Sequence, residues 1–337
     1  MNKILVTGGL GYIGSHTVVA LQQAGNEVII IDDLSNTELD FLDRITSITQ
    51  IKPTFFELDL KNQQDVNRFF QENRVDGIIH FAAHKAVGES VEKPLMYYRN
   101  NLLSLLNVLE AMKEFNVDNI IFSSSCTVYG QADEMPIDEQ TPLKKAESPY
   151  GKTKQMGEEI LEDFSTAFNK NVICLRYFNP VGAHSSAKIG ELPKGIPNNL
   201  IPYVTQTAAG IREMLSVWGD DYPTRDGTAI RDYIDVNDLA DAHVKAITRL
   251  IDKKNKTELE FFNLGTGIGS TVLEVVQAFE QANKLKLNYQ IKERRAGDIV
   301  EAFADNALAE QELNWKPQIE LSESMRTAWE WQKSLAQ

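Results

Sequence analysis

A tyrosine and a lysine stand one helical turn apart in the stretch 148–154, which reads SPYGKTK. Ser148 is a favoured N-cap and Pro149 a favoured first helical residue, so Tyr150 and Lys154 are predicted to share one face of a helix that begins here. Tyrosine has a pKa of about 10, and lowering it by ~3 units takes roughly 4 kcal/mol of phenolate stabilisation. The pair is therefore either a catalytic base with its activating lysine or, on spacing alone, a surface pair.

A serine at the end of a predicted strand favours the catalytic interpretation. Ser125 closes the run NIIFSSS at 119–125, and ligands bind at the carboxyl ends of the strands in sheets of this kind. A hydroxyl both donates and accepts, so Ser125 could relay a proton between a substrate oxygen and Tyr150. The sequence predicts a catalytic triad of Ser125, Tyr150 and Lys154.

A dinucleotide-binding turn is predicted after the first strand. Gly8, Gly11 and Gly14 follow an apolar strand and precede a helical segment. Glycines at this spacing permit a tight turn and let backbone N–H groups approach a pyrophosphate at a helix N-terminus. Asp32 ends the second strand, close to the offset of roughly 20 residues expected for a carboxylate that binds the ribose. A glycine-rich turn without a ligand is the alternative.

Acidic residues at strand ends indicate which dinucleotide is bound. Asp32 and Asp33 stand where an NADP enzyme needs a cation for the 2′-phosphate, so NAD is favoured. Asp59 closes the third strand and fits an acceptor for the adenine edge, although a structural aspartate explains it nearly as well. Phe81 and Ala82 end the fourth strand, where a small residue lets the backbone approach the dinucleotide.

Short runs rich in Ile, Val and Phe alternate with longer amphipathic segments, which predicts a doubly wound parallel sheet. The predicted strands are 4–8, 28–32, 53–59, 77–83, 119–125 and 171–178, with strand-like runs at 215–219 and 261–267 and helices near 15–23, 271–284 and 322–335. The predicted fold class is α/β, a Rossmann-type doubly wound parallel sheet with a smaller C-terminal α/β substrate domain. The NAD-binding domain is predicted over 1–178 with a returning segment near 232–262, and the substrate domain mainly over 179–337.

Composition limits the classes of partner. The 337 residues carry a formal net charge of −14, which disfavours binding to nucleic acid or to an anionic membrane. Cys126 and Cys174 lie in apolar runs, which suits buried thiols in a reducing, cytoplasmic setting better than a disulfide framework or a metal site. The sequence shows neither a signal peptide nor an apolar run of the roughly 20 residues that cross a membrane.

Seven segments resemble one known family, namely HFAAHKAVGES, NIIFSSSCTVYG, SPYGKTK, LRYFNPVGAH, IPNNLIPY, DYPTRDGTAIRDYIDVNDLADAH and FFNLGTG. They are similar, over nearly the whole chain, to the UDP-glucose 4-epimerase family of the extended short-chain dehydrogenase/reductases. The resemblance implies a tightly held NAD, a triad of Ser125, Tyr150 and Lys154, and interconversion of UDP-glucose and UDP-galactose through a 4-keto intermediate. It also implies a UDP-sugar-binding domain over 179–337, a role in galactose metabolism and a homodimer. Segments 95–112 and 153–168 could pair in such a dimer, although burial within one chain explains their apolar stripes equally well.

The resemblance further implies which residues contact each ligand. The residues implied for NAD are Gly8, Gly11, Tyr12, Ile13, Gly14, Asp32, Asp33, Asn36, Asp59, Leu60, Phe81, Ala82, Lys85, Asn100, Ser123, Tyr150, Lys154 and Phe178. The residues implied for the UDP-hexose are Lys85, Ser125, Asn179, Asn199, Leu200, Trp218, Arg231, Arg295, Asp298 and Ala302. Arginines suit a diphosphate in so acidic a chain, because forked cations must be supplied locally.

The residues after the catalytic serine distinguish this reaction from related ones. Nucleotide-sugar dehydratases of the superfamily carry an Asp-Glu pair there, and decarboxylases a glutamate at the second position. Cys126 and Thr127 occupy these positions, and neither is a carboxylic acid, so dehydration and decarboxylation are disfavoured. A non-catalytic NAD-binding sensor of nucleotide sugars is disfavoured as well, because the triad is complete.

Ala302 bears on the range of sugars. In the family a tyrosine at this position restricts the pocket to glucose and galactose, whereas a small residue leaves room for an N-acetyl group. Ala302 therefore predicts turnover of UDP-GlcNAc and UDP-GalNAc as well, unless another side chain fills the space. A main activity as a UDP-N-acetylglucosamine 4-epimerase is the alternative. His84 and Asp235 also depart from the family pattern, and the sequence assigns neither a role.

Overall fold

The computed structural model describes residues 1–294 and 299–336. The strands in those residues are β1 (Lys3–Thr7), β2 (Glu27–Asp32), β3 (Thr54–Glu57), β4 (Gly77–His80), β5 (Asn119–Ser123), β6 (Asn171–Tyr177), β7 (Asn179–Val181), β8 (Leu215–Trp218), β9 (Ile230–Asp235), β10 (Leu259–Leu264), β11 (Gly269–Thr271), β12 (Tyr289–Lys292) and β13 (Glu301–Ala302). The helices are α1 (Tyr12–Gln23), α2 (Asp40–Thr49), α3 (Gln63–Glu72), α4 (Val87–Glu92), α5 (Pro94–Glu114), α6 (Pro149–Phe168), α7 (Leu200–Ala208), α8 (Val236–Ile251), α9 (Val272–Asn283), α10 (Ala307–Leu313) and α11 (Leu321–Ser334).

Seven strands form a parallel sheet at the centre, in the order β3-β2-β1-β4-β5-β6-β10. The chain order reverses at β1, which lies between β2 and β4, so the carboxyl ends of these strands border the crevice where such sheets bind ligands. The predicted Rossmann-type sheet and its strands are confirmed. The strands end earlier than predicted, and Phe81, Ala82 and Ser125 consequently lie in the loops just beyond β4 and β5.

Side chains of the central strands alternate between two apolar layers. Ile4 and Val6 of β1 belong to one buried cluster, whereas Leu5 belongs to the other. Residues two apart on a strand face the same side of the sheet, so one short strand supplies both layers. Burial on both faces is the usual condition of a parallel sheet, and it leaves the strand ends as the places where polar groups meet ligands.

The C-terminal half contributes to the central sheet and also forms a separate substructure. Strand β10 pairs with β6, and α8 packs on α1. Strand β9 pairs with β7, β11 and β13, while β8 pairs with β12. A third apolar cluster, with Val204, Val217 and Phe279 at 0% exposure, packs α7, β8 and α9 together. The chain thus returns to the first sheet through β10 and packs α8 against α1.

A buried ion pair attaches α6 to the central sheet. Arg176 of β6 makes two hydrogen bonds to Glu158 of α6, from Nε to Oε1 at 2.9 Å and from Nη2 to Oε2 at 2.7 Å. Ser124 Oγ also donates to Glu158 Oε1 at 2.5 Å. The guanidinium lies over the rings of Tyr129 and Phe261, at 5.0 and 4.3 Å from their centroids. The two charges compensate each other, and these contacts fix α6 relative to the end of β5.

Replacing Glu158 by glutamine should destabilise the fold. Glu158→Gln leaves the Arg176 guanidinium buried without its counter-charge, and removing one member of a buried pair typically costs about 3 kcal/mol or more. Chemical denaturation should show that loss in the free energy of unfolding. The control is Glu323→Gln, in an exposed pair with Arg326, for which a change below about 1 kcal/mol is expected. Equal stability of the two variants would contradict the proposed role of the buried pair.

Candidate active site

The glycine turn between β1 and α1 is packed too closely for side chains. Gly8 has φ +68°, and a Cβ there would lie 2.9 Å from the Ala82 nitrogen. A Cβ on Gly14 would lie 2.2 Å from the Gly8 carbonyl oxygen. Gly11 is the N-cap of α1, and without a side chain it cannot cap the first N–H groups of that helix. The turn therefore offers an uncapped helix N-terminus to an anion.

The Asp32 carboxylate is held at the end of β2 by two backbone N–H groups. Oδ2 accepts from Leu10 at 3.2 Å and Oδ1 from Leu34 at 3.0 Å. Burial raises the pKa of Asp32 to about 6, and these hydrogen bonds act in the opposite direction. The group is ionised at neutral pH and is fixed beside the glycine turn.

The residues that the resemblance implies for the cofactor line one cavity of about 290 Å³, called here the first cavity. The structure brings together Gly8, Gly11, Tyr12, Ile13, Gly14, Asp32, Asp33, Asn36, Asp59, Leu60, Phe81, Ala82, Lys85, Asn100, Ser123, Tyr150, Lys154 and Phe178 in its wall. They come from the ends of β1 to β6 and from the helices that follow. Sequence-distant residues thus share one site because they share one edge of the sheet.

The predicted triad lies in the wall of the same cavity. Ser148 caps α6 by accepting from the Gly151 N–H at 3.1 Å, which sets Tyr150 in the first turn and Lys154 in the second. Ser125 caps the short 3₁₀ turn that follows β5. All three triad residues line the first cavity. The local capping predicted from SPYGKTK is confirmed.

In the protein without ligands, burial determines the protonation states of Tyr150 and Lys154. It raises the pKa of Tyr150 to about 12, with the Ser125 hydroxyl acting in the opposite direction. It lowers the pKa of Lys154 to about 8, against the field of Glu158. The Lys154 ammonium donates to the Ser123 carbonyl at 2.5 Å and stands 5.8 Å from the centre of the Tyr150 ring. Tyr150 is therefore a neutral phenol that needs further positive charge to act as a base.

Three further polar residues belong to this region, although the sequence assigned none of them a role. Tyr177 lines the first cavity and hydrogen-bonds the Ser123 hydroxyl. His80 and Thr7 hydrogen-bond each other at 2.9 Å, and burial lowers the pKa of His80 to about 3. Thr7, His80 and Tyr177 are the last residues of β1, β4 and β6. Polar residues at the carboxyl ends of predicted strands lie at the edge of the sheet that binds ligands, and this position could have identified all three from the sequence.

A second cavity of about 380 Å³ adjoins the first. Five of the residues predicted for the substrate line it, namely Asn179, Asn199, Leu200, Trp218 and Arg231, and Asn179 and Asn199 line both cavities. The predicted substrate residues Lys85 and Ser125 line the first cavity instead. Arg295 and Asp298 lie outside the described residues.

Two features of the second cavity favour an anionic ligand. Asn199 is the N-cap residue of α7, yet its side chain makes no capping hydrogen bond to the first N–H groups of the helix. Arg231 of β9 lines the same cavity and donates through Nη1 to the Ile230 carbonyl at 2.7 Å. A helix N-terminus beside a guanidinium attracts phosphate groups.

Ala302 lies behind the cavity walls. It is 4% exposed and packs in an apolar cluster with Val128, Tyr129 and Phe178. In the strand pairing it stands opposite Arg231. Phe178 lines the first cavity and Arg231 the second, so Ala302 contacts the wall without being among the lining residues of either.

His84 and Asp235, which depart from the family pattern, each contact identifiable neighbours. His84 lines the first cavity, and its ring centre is 5.5 Å from that of Tyr97. Asp235 caps α8 by accepting from the Asn237 N–H at 2.8 Å, and it accepts from the Ser324 hydroxyl at 2.6 Å. Burial raises the pKa of Asp235 to about 6. Asp235 thus joins α8 to α11.

Two kinds of feature are absent from residues 1–294 and 299–336. No helix in them is long and apolar enough to cross a membrane. No cluster of three or more His, Cys, Asp or Glu side chains there could hold a metal ion.

Comparison with known proteins identifies the family. Residues 5–328 match the family model described as GDP-mannose 4,6 dehydratase. The UDP-glucose 4-epimerase of Bacillus subtilis (strain 168) is 51% identical over 332 residues, which cover 98% of this chain and 97% of that protein. The UDP-glucose 4-epimerase of Stenotrophomonas maltophila, solved with NAD and formylated UDP-arabinopyranose, superposes with a TM-score of 0.96 at 45% identity over 100% of this chain and 99% of its own.

A relative named for two sugar classes has the same fold. The UDP-Glc/GlcNAc 4-epimerase of Campylobacter jejuni superposes with a TM-score of 0.86 at 35% identity, covering 99% of this chain and 100% of its own. Each of these matches covers 98% or more of this chain. The chain therefore belongs to the UDP-glucose 4-epimerase family of the extended short-chain dehydrogenase/reductases.

Proposed function

We propose that this enzyme interconverts UDP-glucose and UDP-galactose with bound NAD, through a 4-keto intermediate. The observation that carries the proposal is that Ser125, Tyr150 and Lys154 line one cavity with the glycine turn and Asp32, next to a cavity suited to a diphosphate. The related structure from Stenotrophomonas maltophila, with NAD and a UDP-sugar derivative, supports the assignment of both ligands.

The residues of the first cavity fit NAD. The bare turn at Gly8 and Gly14 and the uncapped N-terminus of α1 suit a pyrophosphate. The fixed carboxylate of Asp32 suits the hydroxyls of a ribose, and Asp33 beside it adds negative charge that opposes a 2′-phosphate. When bound, NAD supplies the positively charged ring that takes up the C4 hydrogen of the sugar and later returns it.

The triad supplies the proton transfers. Tyr150 accepts the proton of the sugar 4-hydroxyl as the C4 hydrogen leaves, and it returns that proton in the reverse step. Ser125 bonds to the substrate oxygen and to the phenol, because its hydroxyl donates and accepts. Lys154 holds its ammonium near the Tyr150 ring and favours the phenolate. A hydride removed from one face of C4 and given back to the other would invert that centre, and because the proton and the hydride would both be returned, no net oxidation would occur.

The second cavity holds the UDP group in this proposal. The N-terminus of α7 and Arg231 face it and suit the diphosphate. Trp218 lines the same wall at 37% exposure, and Lys292 Nζ lies 5.3 Å from the centre of its ring. Asn179 and Asn199, shared by both cavities, then lie between the diphosphate and the reacting sugar.

Dehydration is the competing reaction within the superfamily, and the matched family model is described as a dehydratase. Cys126 and Thr127 follow Ser125 in the wall of the first cavity. Burial raises the pKa of the Cys126 thiol to about 11, so it is neutral and a very weak acid. Neither residue supplies the carboxylic acid needed to expel water, which favours epimerisation. A complete triad in one cavity likewise argues against a sensor without activity.

A homodimer, a cytoplasmic location and a role in galactose metabolism are part of the proposal. The dimer is supported by exposed apolar side chains on α4 and α5, including Val91 at 60%, Leu95 at 81% and Leu106 at 41%. Free thiols at Cys126 and Cys174 agree with a reducing compartment. We also propose the division into an NAD-binding domain over 1–178 and a UDP-sugar-binding domain over 179–337, with β10 and α8 returning to the NAD-binding domain.

Removing the Tyr150 hydroxyl should abolish most of the activity. Tyr150→Phe cannot accept the 4-hydroxyl proton, so kcat for UDP-galactose should fall about 100-fold or more while NAD stays bound. A coupled assay for UDP-glucose formation measures kcat, and the absorbance of the denatured supernatant measures NAD. The matched control is Tyr289→Phe on exposed β12, which should keep wild-type kcat. Activity of Tyr150→Phe near wild type would exclude Tyr150 as the base.

Retention of NAD should weaken in mild acid because of Asp32. The ribose hydroxyls bind the ionised carboxylate, and the pKa of Asp32 without NAD is about 6. Above pH 6 the carboxylate is already ionised and NAD binds without loss of a proton. Below pH 6 the carboxylate must first lose its proton, so NAD binding is progressively weakened. Affinity should fall by up to about tenfold per pH unit between pH 6 and pH 5. NAD retained on gel filtration measures this loss, with circular dichroism to confirm folding. Asp32→Asn should bind more weakly at pH 8 and show a flat profile, and a profile equal to wild type would refute the assignment.

Sugar range should depend on Ala302. We propose that the enzyme also interconverts UDP-GlcNAc and UDP-GalNAc, with UDP-N-acetylglucosamine epimerisation as the main activity being the alternative. Ala302→Tyr adds a ring beside Phe178 and should lower kcat/KM for UDP-GlcNAc about tenfold or more relative to UDP-glucose. A coupled assay of all four UDP-sugars measures the ratio, and UDP-glucose turnover by the same variant controls for misfolding. Wild-type activity on UDP-glucose and UDP-galactose alone would contradict the broad range.

A further inference from the structure

One carboxylate connects the two cavities. Glu191 Oε1 accepts from Lys85 Nζ at 2.7 Å and from Asn199 Nδ2 at 2.7 Å. Lys85 lines the first cavity, and Asn199 lines both. Glu191 itself lines the second cavity. A single oxygen thus holds one polar group assigned to NAD and one assigned to the UDP-sugar.

The position of this carboxylate is set by the fold. The Glu191 carbonyl oxygen accepts from Trp331 Nε1 of α11 at 2.9 Å. The preceding residue, Gly190, lies so close to the same indole that a Cβ would approach it to 2.5 Å. The Glu191 side chain is 12% exposed. Helix α11 therefore fixes the backbone from which the carboxylate reaches both donors.

The bond to Asn199 keeps the N-terminus of α7 uncapped. Asn199 has the extended backbone of an N-cap residue, with φ −92° and ψ 151°. An asparagine there ordinarily accepts from an N–H group of the first turn. Its amide donates to Glu191 instead, and no capping hydrogen bond forms. The N–H groups of α7 are left for another acceptor.

The bond to Lys85 directs a flexible cation. The Lys85 side chain is 48% exposed, and its ammonium stands 5.8 Å from the centre of the Tyr12 ring in the glycine turn. Glu191 and Tyr12 together place the charge beside the first cavity. The Lys85 end of this ion pair is exposed, so the pair contributes little to folding stability. Its main effect is to determine which groups the Lys85 ammonium contacts.

We propose that Glu191 is a positioning residue of the epimerase site: it aims Lys85 at NAD and holds the Asn199 amide away from α7, so that the helix N-terminus remains free for the substrate diphosphate. The inference rests on the proposed function. Without Glu191, Asn199 would cap α7 and compete with the diphosphate, and Lys85 would lose its preferred orientation. One residue would then affect retention of the cofactor and affinity for the substrate together.

The test compares Glu191→Ala with a control of equal burial. Glu280 of α9 is 11% exposed, bonds Lys286 at 2.7 Å and is not among the lining residues of either cavity. Glu191→Ala should raise KM for UDP-galactose and Kd for UDP about tenfold, and should speed NAD loss on gel filtration. Its melting temperature should stay close to that of wild type. Glu280→Ala should change none of the ligand measurements. Glu191→Gln keeps an oxygen for both donors and should lie between Glu191→Ala and wild type.

Double variants decide whether Glu191 acts through its two partners. In an Asn199→Ala background the effect of Glu191→Ala on Kd for UDP should vanish, and in a Lys85→Met background its effect on NAD loss should vanish. Ligand effects of Glu191→Ala no larger than those of Glu280→Ala, or fully additive double variants, would overturn the inference. Wild-type protein that holds no NAD or epimerises no UDP-sugar would instead remove the proposed function. Should Glu191→Ala fail to fold, Glu191→Gln gives the same comparison.

Discussion

The site depends on the burial of one lysine. Lys154 is 4% exposed, and placing an ammonium in such surroundings is costly unless it is paired. The Ser123 carbonyl accepts from it, the Phe122 ring lies 4.9 Å away, and Glu158 supplies a favourable field one turn along α6. These partners belong to β5 and α6, so the relative placement of the two elements fixes the lysine and, with it, the face of the helix that carries Tyr150.

The remaining packing serves that placement. The Arg176 pair joins Glu158 to β6, and the Ser124 hydroxyl joins it to the loop that carries Ser125. Ser125 and Tyr150 therefore reach the cavity from two elements that share one buried charge network. A rigid support of this kind suits proton transfer, which needs donor and acceptor at hydrogen-bonding distance. Arg176 and Glu158 are not among the lining residues of the first cavity, whereas Ser125 and Tyr150 are.

Local signals predicted most of this arrangement. The cap at Ser148, the proline after it and the glycine spacing are short-range patterns with fixed geometric meaning, and the structure reproduces them at α6 and α1. The sequence predicts β4 and β5 to be longer than they are, because apolar and small residues continue beyond the last residue that pairs with a neighbouring strand. Glu191 escaped prediction for a different reason. Its partners Lys85 and Asn199 are distant in sequence, and only the docking of its backbone on α11 brings them to one oxygen.

The two cavities divide the work of the proposed reaction unequally. A 4-keto sugar must turn to present both of its faces to the nicotinamide ring. The sugar can therefore make only few contacts with the protein, while the UDP group stays bound. The second cavity has the strong anion contacts, a guanidinium and an uncapped helix N-terminus. The wall near Ser125 offers instead the small neutral side chains of Cys126 and Thr127. Binding energy concentrated on the part of the substrate that does not react leaves the reacting part free to move, and this asymmetry favours epimerisation over a reaction that needs one fixed sugar orientation.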